Sequence, residues 1–124
     1  MLTVLPIQSK DEQMELCQKC HVEYDVESFC YRADDGDFIG ICQFYFQGGV
    51  GYIKNLAYSD GADDTEAMII MLRATMSFMH RCGLDTSELL PSCMPESLRN
   101  MSGYQKNENG VYTVDLNKFY GHCH

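Results

Sequence analysis

The chain has 124 residues, 45% hydrophobic and 11% aromatic, which suits one globular domain spanning 1–124 and not a disordered segment. Eighteen Asp and Glu against nine Lys and Arg leave a net charge of −9, which argues against a nucleic-acid partner, since such binding starts from a basic footprint. No apolar run approaches the roughly 18 residues of a membrane span, and no basic-then-apolar leader opens the chain, so no membrane partner and a cytoplasmic location are expected.

In chain order, LTVLPI (2–7) alternates apolar residues and predicts a short strand, with Pro6 favouring an edge position. Ser9 followed by Glu12 is a capping-box signature for a helix from about Lys10 to His21, with Met14, Leu16, Cys17 and Cys20 on or near its inner face. SFCYRA (28–33) and DFIGICQFYFQ (37–47) read as two strands joined by a hairpin turn at Asp35-Gly36. The second is apolar on both faces, which predicts a central strand covered on both sides. Gly48-Gly49 turns the chain into GYIKNLAY, the next strand.

A long apolar helix follows from about Thr65 to Cys82, with Met68, Ile69, Ile70, Met71, Leu72, Met76, Phe78 and Met79 in a stripe wide enough to be mostly buried and Gly83 as its stop. LDTSELL (84–90) is then a strand, and the strand–helix–strand order implies a parallel crossover. Pro95 opens a short helix ending near Gly103. Tyr104 to Lys106 and VYTVDL (111–116) form a last hairpin across Asn109-Gly110. The fold class is α/β, a mixed sheet of about seven strands flanked by about three helices, antiparallel at first and parallel at one junction.

Seven cysteines, an odd number without an export signal, read as free thiols rather than a disulfide framework. CQKCH (17–21) matches the C-x-x-C-H pattern of haem attachment, but it lies inside an amphipathic helix, where two cysteines three apart pack as small apolar residues. No metal site is expected as the leading reading. The alternative is zinc held by Cys17 and Cys20 with His122, Cys123 and His124.

This order of elements, with Gly40 in the third strand, NLAY in the fourth, AMIIMLRATMSFMHRCGL as the long helix and PESLRNMSGY as the last, resembles the GNAT (Gcn5-related N-acetyltransferase) superfamily over nearly the whole chain. The resemblance implies an acyl-CoA site built from Leu56, Ala57 and Tyr58 on the fourth strand and from the loop entering the long helix. In the family that loop reads Arg/Gln-x-x-Gly-x-Gly/Ala, and its backbone N–H groups cradle a pyrophosphate. Counted back from Gly83, it falls here on Asp63, Asp64, Thr65, Glu66, Ala67 and Met68, with acid at the basic position and side chains at both glycine positions. The family's general base on the fourth strand falls on or near Tyr52, a poor base at neutral pH. Its tyrosine general acid falls on Arg99, which has no proton to give.

A carboxylate about 6 Å from a phosphate charge costs roughly 0.7 kcal/mol in water and about 3 kcal/mol at an effective dielectric near 20. Two such pairs weaken binding by roughly one to four powers of ten. The acids also have plainer uses: capping the helix, where carboxylates are favoured, or holding a cation or amine. A rearranged cofactor loop is the remaining reading.

The leading expectation is therefore a degenerate acetyltransferase-like domain with no cofactor in the standard site, serving as a binding or dimerisation module. A homodimer and a small cationic or amine ligand are the partners that fit. The alternatives are an active acetyl-CoA-dependent N-acetyltransferase of a small amine and a zinc-binding protein.

Overall fold

The computed structural model describes residues 1–120. A seven-stranded sheet carries the fold, formed by β1 (Thr3–Pro6), β2 (Phe29–Asp35), β3 (Asp37–Gln47), β4 (Val50–Tyr58), β5 (Thr86–Leu89), β6 (Gln105–Lys106) and β7 (Tyr112–Asp115). The spatial order is β1-β2-β3-β4-β5-β7-β6, antiparallel except for the parallel β4–β5 pair. Among the described residues four helices accompany it: α1 (Lys10–Lys19), α2 (Thr65–Arg81), α3 (Glu96–Met101) and α4 (Leu116–Phe119). The β3–β4 hairpin turns on Gly48 and Gly49, both at positive φ (61° and 81°), a conformation that residues with a Cβ rarely adopt.

β3 lies inside the sheet as its two apolar faces require. On one side Cys42 and Phe44 meet the buried stripe of α2, which includes Met68, Met71, Leu72, Met76 and Met79. On the other, Ile41 packs with Cys30 and with Leu16, Cys17 and Cys20 of α1. On that second side Gln43 is also buried but satisfied: Nε2 donates to Glu23 O at 3.0 Å, and Oε1 accepts from Asp25 N at 2.9 Å.

Four details differ from the sequence reading. Ile70, counted in the apolar stripe of α2, is 43% exposed. Met14, expected on the inner face of α1, is 42% exposed, and Gln13 is buried instead because its Nε2 donates to Ile7 O at 2.6 Å. The last strand ends at Asp115, and Leu116 starts the short fourth helix that Asp115 caps through Lys118 N at 3.1 Å. The strand expected over 84–90 is confined to Thr86–Leu89.

Candidate functional site

β4 and β5 run in register from Val50–Thr86 to Ile53–Leu89, and then part. The cause is a β-bulge in β4. Phe44 pairs with Ile53 and the preceding Gln43 with Asn55, so Lys54 is the extra residue and the strand bends there. Lys54 is held in place by Asp25, Nζ to Oδ2 at 3.1 Å. β5 meanwhile stops at Leu89, with Leu90 N making one last bond to Ile53 O at 3.0 Å, and the chain turns away through Pro91 and Ser92.

The fork so formed is a cleft of about 460 Å³. Leu56, Ala57 and Tyr58 line one wall, and Cys93, Met94 and Arg99 line the other. A backbone bond crosses it: Leu56 N donates to Cys93 O at 2.7 Å. The Leu56 amide, one of those on the β5 side of β4, is thereby used within the chain. Burial pushes the Cys93 thiol up to about 11, so it is not a thiolate at neutral pH and offers no ready nucleophile.

The N-terminus of α2 stands at the far end of β4. Asp64 is its cap and accepts from Ala67 N at 3.0 Å, while Met68 N donates to Asp64 O at 3.2 Å. Tyr58 OH reaches Thr65 Oγ1 at 3.4 Å. Asp63 and Asp64 also border a depression of about 440 Å³ shared with Asp35, Asp37 and Asp60, which puts five carboxylates beside a helix end whose backbone N–H groups favour an anion. His21 Nε2 bonds Asp60 at 2.8 Å and ties the end of α1 to this loop.

Within the counted loop, Glu66 is exposed, whereas Ala67 and Met68 are buried in the core. Met68 packs against Gly40, where an added Cβ would come within 2.9 Å of its Sδ and closer still to the Ala57 carbonyl. Its side chain is thus turned away from the solvent side of the loop, and steric obstruction of a bound anion falls on Glu66 alone. Tyr52 is not among the residues lining the fork. It alternates with Ile53, projects from the sheet face opposite α2 and stacks on Tyr45 with ring centroids 5.1 Å apart. Arg99 is at the fork, and its neighbours Cys93 and Met94 are contacts that sequence alone did not single out. Nothing in the spacing of Leu56 and Cys93, 37 positions apart, signals their bond.

Asp64→Ala should lower stability by about 1 kcal/mol, the usual worth of such a cap, measured as a fall in the denaturant midpoint at unchanged slope. A change below about 0.3 kcal/mol would show that the carboxylate is not capping the helix.

At the helix end the Asp64 carboxylate thus occupies the Ala67 N–H, and on the fork side of β4 the Leu56 N–H is bonded to Cys93 O. For metal, among the described residues no group of three or more His, Cys, Asp or Glu could hold an ion. Cys17, within α1, and Cys20, at its C-terminal cap, are buried, and burial pushes the Cys20 thiol up to about 12. His122, Cys123 and His124, the other half of the zinc alternative, lie outside the described residues. Also among the described residues, no helix is long and apolar enough to cross a membrane.

No family model matches the sequence, and no curated protein does. Solved structures do match. An acetyltransferase of Bacillus subtilis in complex with CoA superposes with a TM-score of 0.69 at 17% identity, over 93% of this chain and 99% of that one. The ribosomal-protein-S18-alanine N-acetyltransferase of Escherichia coli gives 0.69 at 10% identity, over 94% of each chain. A GNAT-family acetyltransferase of Staphylococcus aureus Mu50 gives 0.66 at 11%, over 94% of this chain and 99% of that one. The fold is the GNAT fold. Its forked β4–β5 pair and the helix entered from β4 are where the GNAT resemblance in the sequence placed the acyl-CoA site, and the atoms there are engaged as described above.

Proposed function

We propose that this GNAT-fold chain is a binding or dimerisation module that does not take acetyl-CoA in the standard way. The observation that carries the reading is the Asp64 carboxylate on Ala67 N–H at the start of α2. A pyrophosphate placed there would have to displace the cap and approach Asp63 and Glu66, at the one to four powers of ten in affinity reckoned above. The Leu56–Cys93 bond across the fork and the net charge of −9 point the same way. A small cationic or amine ligand suits the five carboxylates around the depression better than any phosphate does.

The second reading, an acetyl-CoA-dependent N-acetyltransferase of a small amine, is favoured by the retained fork of about 460 Å³ and by the CoA complex of a similarly folded protein. Thermal unfolding in acetyl-CoA separates the two. A site filled at 100 times its Kd adds about 2.7 kcal/mol, roughly 10 °C for a chain of this size. We expect a shift below about 1 °C at millimolar acetyl-CoA, and a saturable shift of several degrees would establish the enzyme reading instead.

A further inference from the structure

Among the described residues Arg99 is a half-buried basic residue with a buried donor left unpaired. Its side chain helps line two clefts, the fork described above and a second of about 440 Å³ on the far side of the Leu90–Met94 segment, which Tyr112 and Lys106 also line. Among the described residues its Nε is buried and has no hydrogen-bond partner. Its ion pair is long: Nη2 lies 3.7 Å from Glu96, a carboxylate 77% exposed, beyond hydrogen-bond reach. What braces the guanidinium is the ring of Tyr112, whose centroid is 5.1 Å from Cζ, and such a contact consumes no N–H donor.

A guanidinium offers five N–H donors in a rigid fork and keeps its charge at every working pH. Leaving such donors unmatched in a partly desolvated place is destabilising, more so on a charged group than on a neutral one. An oxyanion removes that penalty, because two oxygens match two N–H groups of the fork. We propose that Arg99 binds the carboxylate of a small organic acid in the second cleft, with Lys106 as a further positive charge and Leu90, Met94 and Tyr112 against the apolar remainder.

A monoanion is the chemistry that fits. Glu88 and Glu96 border these clefts and the whole chain is acidic, so a dianionic phosphate would meet twice the repulsion felt by a carboxylate. Reaching the buried Nε requires a turn about the last side-chain torsions, and the weak pairing with an exposed glutamate leaves that turn open. The site lies away from the start of α2 and its test contains no acetyl-CoA, so it goes beyond the preceding reading and stands or falls separately.

The Nε–H signal of Arg99 in 15N–1H NMR reads the site directly, with butyrate, butyramide and inorganic phosphate as probes at constant ionic strength. Butyrate is expected to move that signal saturably with a Kd of about 1 mM, as befits so small a ligand, while the neutral butyramide leaves it in place. Arg99→Lys, which keeps charge but loses the fork, should weaken butyrate at least about tenfold, followed through the backbone amides of Ser92 and Cys93. An Arg99 signal that stays put, or drifts linearly as it does with sodium chloride, overturns the proposal. Tighter binding of phosphate than of butyrate overturns the carboxylate assignment. Should the variant fail to fold, the wild-type signal still decides.

Discussion

Gly40→Ala should lower the free energy of unfolding by about 3 kcal/mol or more, whereas Gly51→Ala should cost roughly 1–2 kcal/mol. Both glycines face α2, and a Cβ on either would clash, but with different things. At Gly40 it would strike the Ala57 carbonyl, which is backbone of the neighbouring strand, and stand 2.9 Å from Met68 Sδ. Relief there means moving β4 away from β3 next to the fork. At Gly51 its three nearest atoms all belong to the Met79 side chain, with Cε at 2.8 Å and Cγ at 3.0 Å, and an unbranched thioether can change rotamer. Denaturant midpoints of the two variants, compared at equal slope, check this. Equal losses, or a greater one at Gly51, would show that the helix rather than the strand pair sets the tolerance of this face.

Reversing the loop chemistry should create a cofactor site. Asp63→Arg, Asp64→Gly and Glu66→Gly together free the Ala67 amide, remove three carboxylates and add a cation. The affinity for acetyl-CoA should then rise by about two powers of ten or more over the wild type. Met68 is left alone, although a count along the loop places it at a glycine position. Its side chain is buried against Gly40, and truncating a buried methionine costs about 2–5 kcal/mol. The triple variant itself loses roughly 1–3 kcal/mol from the cap and from glycine in the first turn, so its folding is checked by circular dichroism before titration calorimetry. A folded variant giving no heat at millimolar acetyl-CoA would mean that the loop charges are not what prevents binding, and would shift attention to the Leu56–Cys93 bond.

Both predictions turn on where local pattern ends. Elements whose signals are local were legible: the two apolar faces of β3, the Gly48-Gly49 and Asn109-Gly110 turns, and the methionine-rich stripe of α2 stopped before Gly83. Periodicity carries such elements because each depends on neighbours within a few residues. The inner face of α1 was misread at Met14 because Gln13 is buried for a hydrogen bond to Ile7, not for apolarity, and hydropathy does not register that motive. The fourth helix was missed because Leu116 continues the alternation of β7 until the Asp115 cap ends it.

The candidate site divides along the same line. The sequence by itself determined that an acidic segment enters a long helix after a strand, that it lacks glycine and a base where the GNAT pattern has them, and that Arg99 stands where that pattern has a proton donor. Tertiary structure alone decided which of those residues confront a ligand. It turned Met68 inward against Gly40, set Tyr52 on the opposite face of the sheet, opened the fork through an extra residue at Lys54, and closed the Leu56 amide on Cys93. The physical reason is that each of these depends on a backbone register or a contact between segments far apart in the chain, and no local spacing encodes a bond between strangers.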